Sequence, residues 1–125
     1  MYRMFNPNPH GKRVGDCVVR ALCKATGQSW ESVMTCLFVK ACDMGDMPSS
    51  DVVWGAWLRS HGWERNIIEN TCPNCYTVAE FCSDHPDGTY VLALGGHVVC
   101  AENGDYYDTG DSGDRTPLYY YSRRI

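Results

Sequence analysis

The sequence has no apolar run approaching the ~20 residues that a membrane-spanning helix needs. The opening segment, Met1 to His10, carries Arg3, Asn6, Pro7, Asn8 and Pro9 where a secretory signal has its apolar centre, so a cytoplasmic, reducing location is expected. Basic charge is also short. Eleven Lys and Arg face 15 Asp and Glu for a net charge of −4, and the basic residues cluster only at Lys12-Arg13 and Arg123-Arg124. That balance argues against a phosphate-binding surface and a nucleic-acid partner. Internal repeats, low-complexity tracts and linkers are missing too, and 125 residues suit one domain better than two. What is present is the composition of a globular protein, 44% hydrophobic and 21% charged, enough to build a core without external staples.

The first fifteen residues have no hydrophobic period and read as an extended lead-in. Asp16 is a good N-cap, and Val18, Leu22 and Ala25 then recur at helical spacing as the inner face of a helix from Cys17 to Ala25 that Gly27 ends. Ser29 opens a second helix with Trp30, Val33, Met34, Leu37 and Ala41, and Gly45 to Pro48 break it. Ser49 or Ser50 starts a third, carrying Val53, Trp54, Trp57 and Leu58, with Gly62 after its end. Trp63 to Ile68 is a candidate strand. Thr77 and Glu80 have capping-box spacing and mark a short helix from Val78 to about His85. Beyond the Pro86-Asp87-Gly88 turn the pattern becomes β: strands at 89–94, 96–101, 105–108 and 118–122, with Asn103-Gly104 as a two-residue hairpin turn. Helices followed by an antiparallel meander define an α+β domain over residues 1–125.

Cys17 opens the first helix, where free amides and the helix dipole favour a thiolate. The adjacent Asp16 opposes this by charge repulsion unless its carboxylate turns to the helix amides. The hairpin supplies two further groups. If Asn103 and Gly104 form the turn, Glu102 pairs with Asp105, Val99 falls opposite Asp108, and His97 opposite Gly110. With period-two alternation His97, Val99, Asp108 and Gly110 share a face, and His97 and Asp108 are diagonal neighbours within hydrogen-bond reach. Asp111 falls on the other face and Asp105 lies too near the turn. A carboxylate that orients an imidazole, and an imidazole that takes a thiol proton, are the parts of a nucleophilic triad.

Helix-start Cys, strand His, hairpin, then Asp resembles the chain order of papain-like cysteine peptidases. Gly15-Asp16-Cys17 is similar to the Asp-Cys pair of bacterial peptidases that remove double-glycine leader peptides. Residues 15–22, 96–99 and 106–113 resemble small papain-like proteins of gut bacteria and their phages, and this likeness covers nearly the whole chain. It implies a papain-like fold, helices packed on an antiparallel sheet, and a thiol hydrolase with Cys17, His97 and Asp108 as its catalytic set. The substrate would be a peptide or protein, cut at a peptide, isopeptide or other amide bond through an acyl-enzyme, without a cofactor. One position departs from the family. Its oxyanion-hole Gln, six residues before the nucleophile, is here Gly11. Asn6 or Asn8 could supply a side-chain amide instead, and Asn8 is the preferred candidate.

Other features have rival readings. Cys72-Pro73-Asn74-Cys75 followed by Cys82 and His85 has zinc-ligand spacing, against the plainer view that the first pair is incidental and His85 ends a helix. The plainer view is preferred, with the eight cysteines as thiols and no metal. Asp108 to Asp114 holds three aspartates but lacks the spacing of a calcium loop, and a solvated loop is expected. The tryptophans and Tyr119 to Tyr121 are expected mainly in the core. Two alternatives to the enzyme stand: a catalytically silent relative that binds a host protein or peptide in the same groove, and a zinc-stabilised interaction module at residues 72–85. The sequence leaves the oligomeric state open.

Overall fold

Ten elements follow one another in the chain: β1 (Tyr2–Met4), α1 (Cys17–Thr26), α2 (Trp30–Met44), α3 (Asp51–Ser60), β2 (Trp63–Ile67), α4 (Val78–Asp84), β3 (Thr89–Leu94), β4 (His97–Glu102), β5 (Asp105–Asp108) and β6 (Pro117–Arg123). They come from a computed structural model that describes residues 1–123, so Arg124 of the C-terminal basic pair lies outside the described residues. The chain is α+β, with the strands in one mixed six-stranded sheet ordered β1-β5-β4-β3-β6-β2. No helix among the described residues is long and apolar enough to cross a membrane.

Local chemistry accounts for the helix ends. Gly27 and Gly45 close α1 and α2 in the left-handed conformation, with φ of 72° and 68°. The Ser29 hydroxyl accepts from the Ser32 amide at 3.1 Å, capping α2. Thr77 and Glu80 form the reciprocal capping box of α4. The sheet separates two apolar layers by strand alternation. Val91, Ala93, Val98, Cys100 and Tyr121 point to α1, α2 and α3, where they meet Leu22, Leu37 and Trp54. Leu92, Leu94, Val99, Ala101 and Tyr106 point the other way and are covered by Val78, Phe81 and Cys82 of α4. The tryptophans at 54, 57 and 63 and Tyr121 are buried, while Tyr119 and Tyr120 are half-buried.

Two features depart from the expected antiparallel meander. The lead-in contains β1, which runs parallel to β5 with Tyr2 opposite Tyr106 and Met4 opposite Asp108. Three residues with two exposed side chains are too few to display a period. The last strand does not add beside β5. It returns to the far side of β3, pairing Tyr90 with Ser122 and Leu92 with Tyr120. The segment between β5 and β6 folds over the end of the sheet on the way, and Arg115 Nη2 donates to the Gly95 carbonyl at 2.7 Å.

Candidate active site

Cys17 is the first residue of α1 and is half-buried. The hairpin delivers the other two groups. The pairs Glu102–Asp105, Ala101–Tyr106 and Cys100–Tyr107 set the register, and the ladder stops there. Strict alternation would send His97 and Asp108 to the α4 side with Val99 and Tyr106. His97, at the start of β4 opposite Leu94, and Asp108, at the end of β5 opposite Met4, nevertheless meet at the sheet end against α1. There His97 Nε2 and Asp108 Oδ2 are 2.6 Å apart. His97 lies beside Cys17 on the wall of the same cleft and acts to lower its thiol pKa, and with Nε2 engaged by Asp108 the ring nitrogen left for the thiol is Nδ1. The structure thus brings Cys17, His97 and Asp108 together.

The charges of the three groups reinforce one another. Burial pushes the Cys17 thiol up, but hydrogen bonds from His97 and the Val98 amide and the charges of His97 and Arg20 outweigh it, leaving the pKa below its ordinary value. The Asp108 bond, with that of Cys17, raises His97 to about 9. Burial acts to raise Asp108, yet His97, Ser112 and the Thr109 amide hold its carboxyl below the usual range. A lowered thiol beside a raised imidazole favours the thiolate–imidazolium pair over the neutral one. Elsewhere burial raises the thiols of Cys23 and Cys82 to about 11 and that of Cys100 further.

A second set of groups lies behind the first. Arg20 is 4% exposed, Asp16 6% and Asp108 2%. Arg20 Nη1 donates to Asp16 Oδ1 at 2.8 Å and Nη2 to Asp108 Oδ1 at 3.0 Å. Asp16 Oδ2 accepts from the Trp30 indole at 2.9 Å. The Ser112 hydroxyl donates to Asp108 Oδ2 at 2.9 Å, and the Thr109 amide to Oδ1 at 2.7 Å. The expected alternatives for Asp16, repelling the thiolate or capping α1, are both corrected here: its carboxylate makes no capping bond and is spent on Arg20 and Trp30. Sequence reasoning missed Arg20, Ser112 and Trp30. One signal was available for the first, an Arg four residues after Asp16 on an otherwise apolar helix face.

The thiol opens onto a cleft of about 510 Å³ walled by Val14, Gly15, Cys17, Val18 and Arg20 around the α1 start, by Ser49 and Asp51, and by Gly96, His97 and Val98. A second recess of about 390 Å³ adjoins it and shares Cys17 and Val18, but is floored by Val19, Trp30, Met34 and Pro48. Asn8 lines neither. Its Oδ1 accepts the backbone amides of His10 at 2.9 Å and Lys12 at 3.3 Å, and its backbone N–H donates to Asn6 Oδ1 at 3.2 Å, so the 6–12 loop is closed on itself. Gly11 is exposed, with φ of 66°.

The rival features fall elsewhere. Cys72 and Cys75 form a disulfide with Cα atoms 4.2 Å apart, which corrects the expectation of eight thiols to six. Cys82 faces the core, and His85 stacks on Phe81 while its Nδ1 lies 2.8 Å from the Phe81 carbonyl. These four residues do not converge, and among the described residues no group of three or more His, Cys, Asp and Glu is placed to hold a metal ion. The 108–114 loop is not simply solvated, since Ser112 and Gly113 are buried and Asp111 accepts from Tyr106 Oη at 2.5 Å and from the Gly113 amide at 2.9 Å. No family model, no curated protein and no solved structure matches the chain. Fold and site together define an α+β protein with a thiol, an imidazole and a buried carboxylate in series at one end of its sheet.

Proposed function

We propose that the protein is a papain-like thiol hydrolase, a peptidase or amidase acting on a peptide or protein, as its resemblance to small papain-like proteins of bacteria and phages suggests. The observation that carries this reading is the series Cys17–His97–Asp108, with the carboxylate 2.6 Å from the imidazole and the thiol facing an open cleft. The Cys17 thiolate attacks the carbonyl of an amide, forming the C–S bond. The His97 imidazolium gives its proton to the departing amine as the C–N bond breaks. Water, deprotonated by His97, then cleaves the thioester and restores the pair. Asp108 holds the imidazole in position throughout. The backbone amide of Cys17, at a helix start that no side chain caps, is suited to receive the oxyanion. The recess over Val19, Trp30 and Met34 suits an apolar side chain next to the cleaved bond.

Mass-spectrometric mapping of iodoacetamide labelling across about pH 5 to 9, on wild type and His97→Ala, tests this. Cys17 is expected to label first, well below the ~8.5 of a free thiol, and to lose that advantage in the variant. Labelling of Cys17 no faster than that of the exposed Cys42 would refute hydrolysis by this thiol and leave the cleft as a binding groove.

A further inference from the structure

We propose that Arg20 and Asp16 are positioning residues of this site: their buried bridge to Asp108 registers the acid, and through it His97, against the helix that carries Cys17. The inference rests on the thiol reading above and extends it to residues outside the triad.

Burying a guanidinium is costly unless its donors are matched, and a contact between helix and sheet needs only an apolar side chain. Arg20 is instead almost fully buried on the inner side of α1, beside Ala21 and Leu22, with carboxylates from two different elements on its two terminal nitrogens. Asp16 comes from the start of its own helix and Asp108 from the end of β5. Asp16 is itself fixed from α2 by the Trp30 indole. A continuous chain of polar contacts therefore runs from α2 through α1 to the imidazole.

The Asp108 carboxylate accepts two bonds on each oxygen. Oδ1 takes Arg20 and the Thr109 amide, and Oδ2 takes His97 and the Ser112 hydroxyl. The Thr109 and Ser112 donors lie within four residues of Asp108 and travel with its loop. Arg20 ties the carboxylate to α1, one helical turn beyond the nucleophile. Without that tie, the acid is placed against α1 only by apolar packing of the helix on the sheet and by the surface contacts of Lys24 with Glu102 and Tyr107.

Arg20→Lys separates geometry from charge, because an ammonium keeps the positive charge but lacks the planar fork that spans two carboxylates. Asp16→Asn is the second variant, near-isosteric and on the other arm of the bridge. Both are read by the labelling assay above, with Cys100, fully buried under α1, as the internal reporter of an intact fold. With Cys100 protected, each variant is expected to label at Cys17 about tenfold more slowly near pH 6, and its labelling midpoint to rise by about one unit, as His97 loses the carboxylate that keeps it protonated. Should Arg20→Lys expose Cys100, Asp16→Asn decides. Midpoints equal to wild type in variants that keep Cys100 protected would overturn the proposal and leave the bridge a purely structural ion pair. A wild-type Cys17 that labels like an ordinary thiol would overturn the hydrolase reading itself, an outcome distinguished by needing no variant.

Discussion

Between its hydrogen bond to Asp108 and its contact with Cys17, the His97 imidazole is surrounded by groups that favour its protonated form, which raises its pKa from 6.5 to about 9. A group raised on folding adds stability that is complete below its unfolded pKa and disappears as pH climbs through the folded value. The His97 contribution is therefore full below 6.5 and lost toward about 9. Asp108 acts in the opposite sense, because its carboxyl is depressed and its contribution vanishes as pH falls through the folded value. Urea unfolding of wild type and His97→Gln should show a gap between their midpoints that is widest near pH 6 and narrows at about pH 10. A gap independent of pH would show that the imidazole is held by packing and not by its charge. The triad is visible in residue types and spacing. The burial of Arg20 is not, because an i,i+4 pair with Asp16 is normally a surface feature, and only the tertiary arrival of Asp108 supplies the second carboxylate that matches its other terminal nitrogen.

At the scale of elements, the Asn103-Gly104 turn brings the acid to the imidazole. Asn103 at φ 50° and Gly104 at φ 83° reverse the chain in two residues, and every β4–β5 pair follows from that. The information is local, in turn chemistry and period-two alternation, so the pairing of His97 with Asp108 is legible in the residues themselves. The place of β6 is not. Its neighbours β3 and β2 are chosen by side chains distant in sequence, such as Tyr121 against Trp54, and no short-range signal encodes that choice. The zinc reading fails for a similar reason, since spacing cannot tell that Cys82 turns into the core. A methyl group on Gly104 would meet Pro86 Cα at 3.6 Å, an ordinary contact, so the cost of Gly104→Ala lies in the left-handed backbone. That cost is about 1–2 kcal/mol. Urea denaturation should register it, while labelling of the folded protein at Cys17 stays as in wild type, because the Ala101–Tyr106 pair and the Arg20 bridge still hold both strands. A loss of labelling at full folding would mean the turn sets the site geometry more finely than its register.

For the molecule as a whole, the sheet divides the chain into two apolar layers with unequal duties. The layer under α1, α2 and α3 carries the thiol and the guanidinium bridge, whereas α4 covers the opposite face with Phe81 stacked on His85 and edge-on to Tyr90 and Tyr120. Phe81 is 1% exposed, so its truncation to Ala should cost about 3–5 kcal/mol. A domain of this size typically has ~5–15 kcal/mol to lose, so most of the variant remains folded at moderate temperature. The damage lies across the sheet from Cys17, and α4 touches none of the three groups directly. Its first amides, of Val78 and Ala79, hold the Arg115 and Gly113 carbonyls of the loop that carries Ser112, and these backbone bonds do not involve the Phe81 ring. Phe81→Ala is therefore expected to lower the urea midpoint strongly while leaving the pH midpoint of Cys17 labelling where it is in wild type. If the labelling midpoint moves together with stability, then Val99 and Leu94, which belong to the α4 layer on the strands that flank the Gly95-Gly96 turn, transmit packing to His97 through the strand end. The site would then depend on both layers and not on α1 alone.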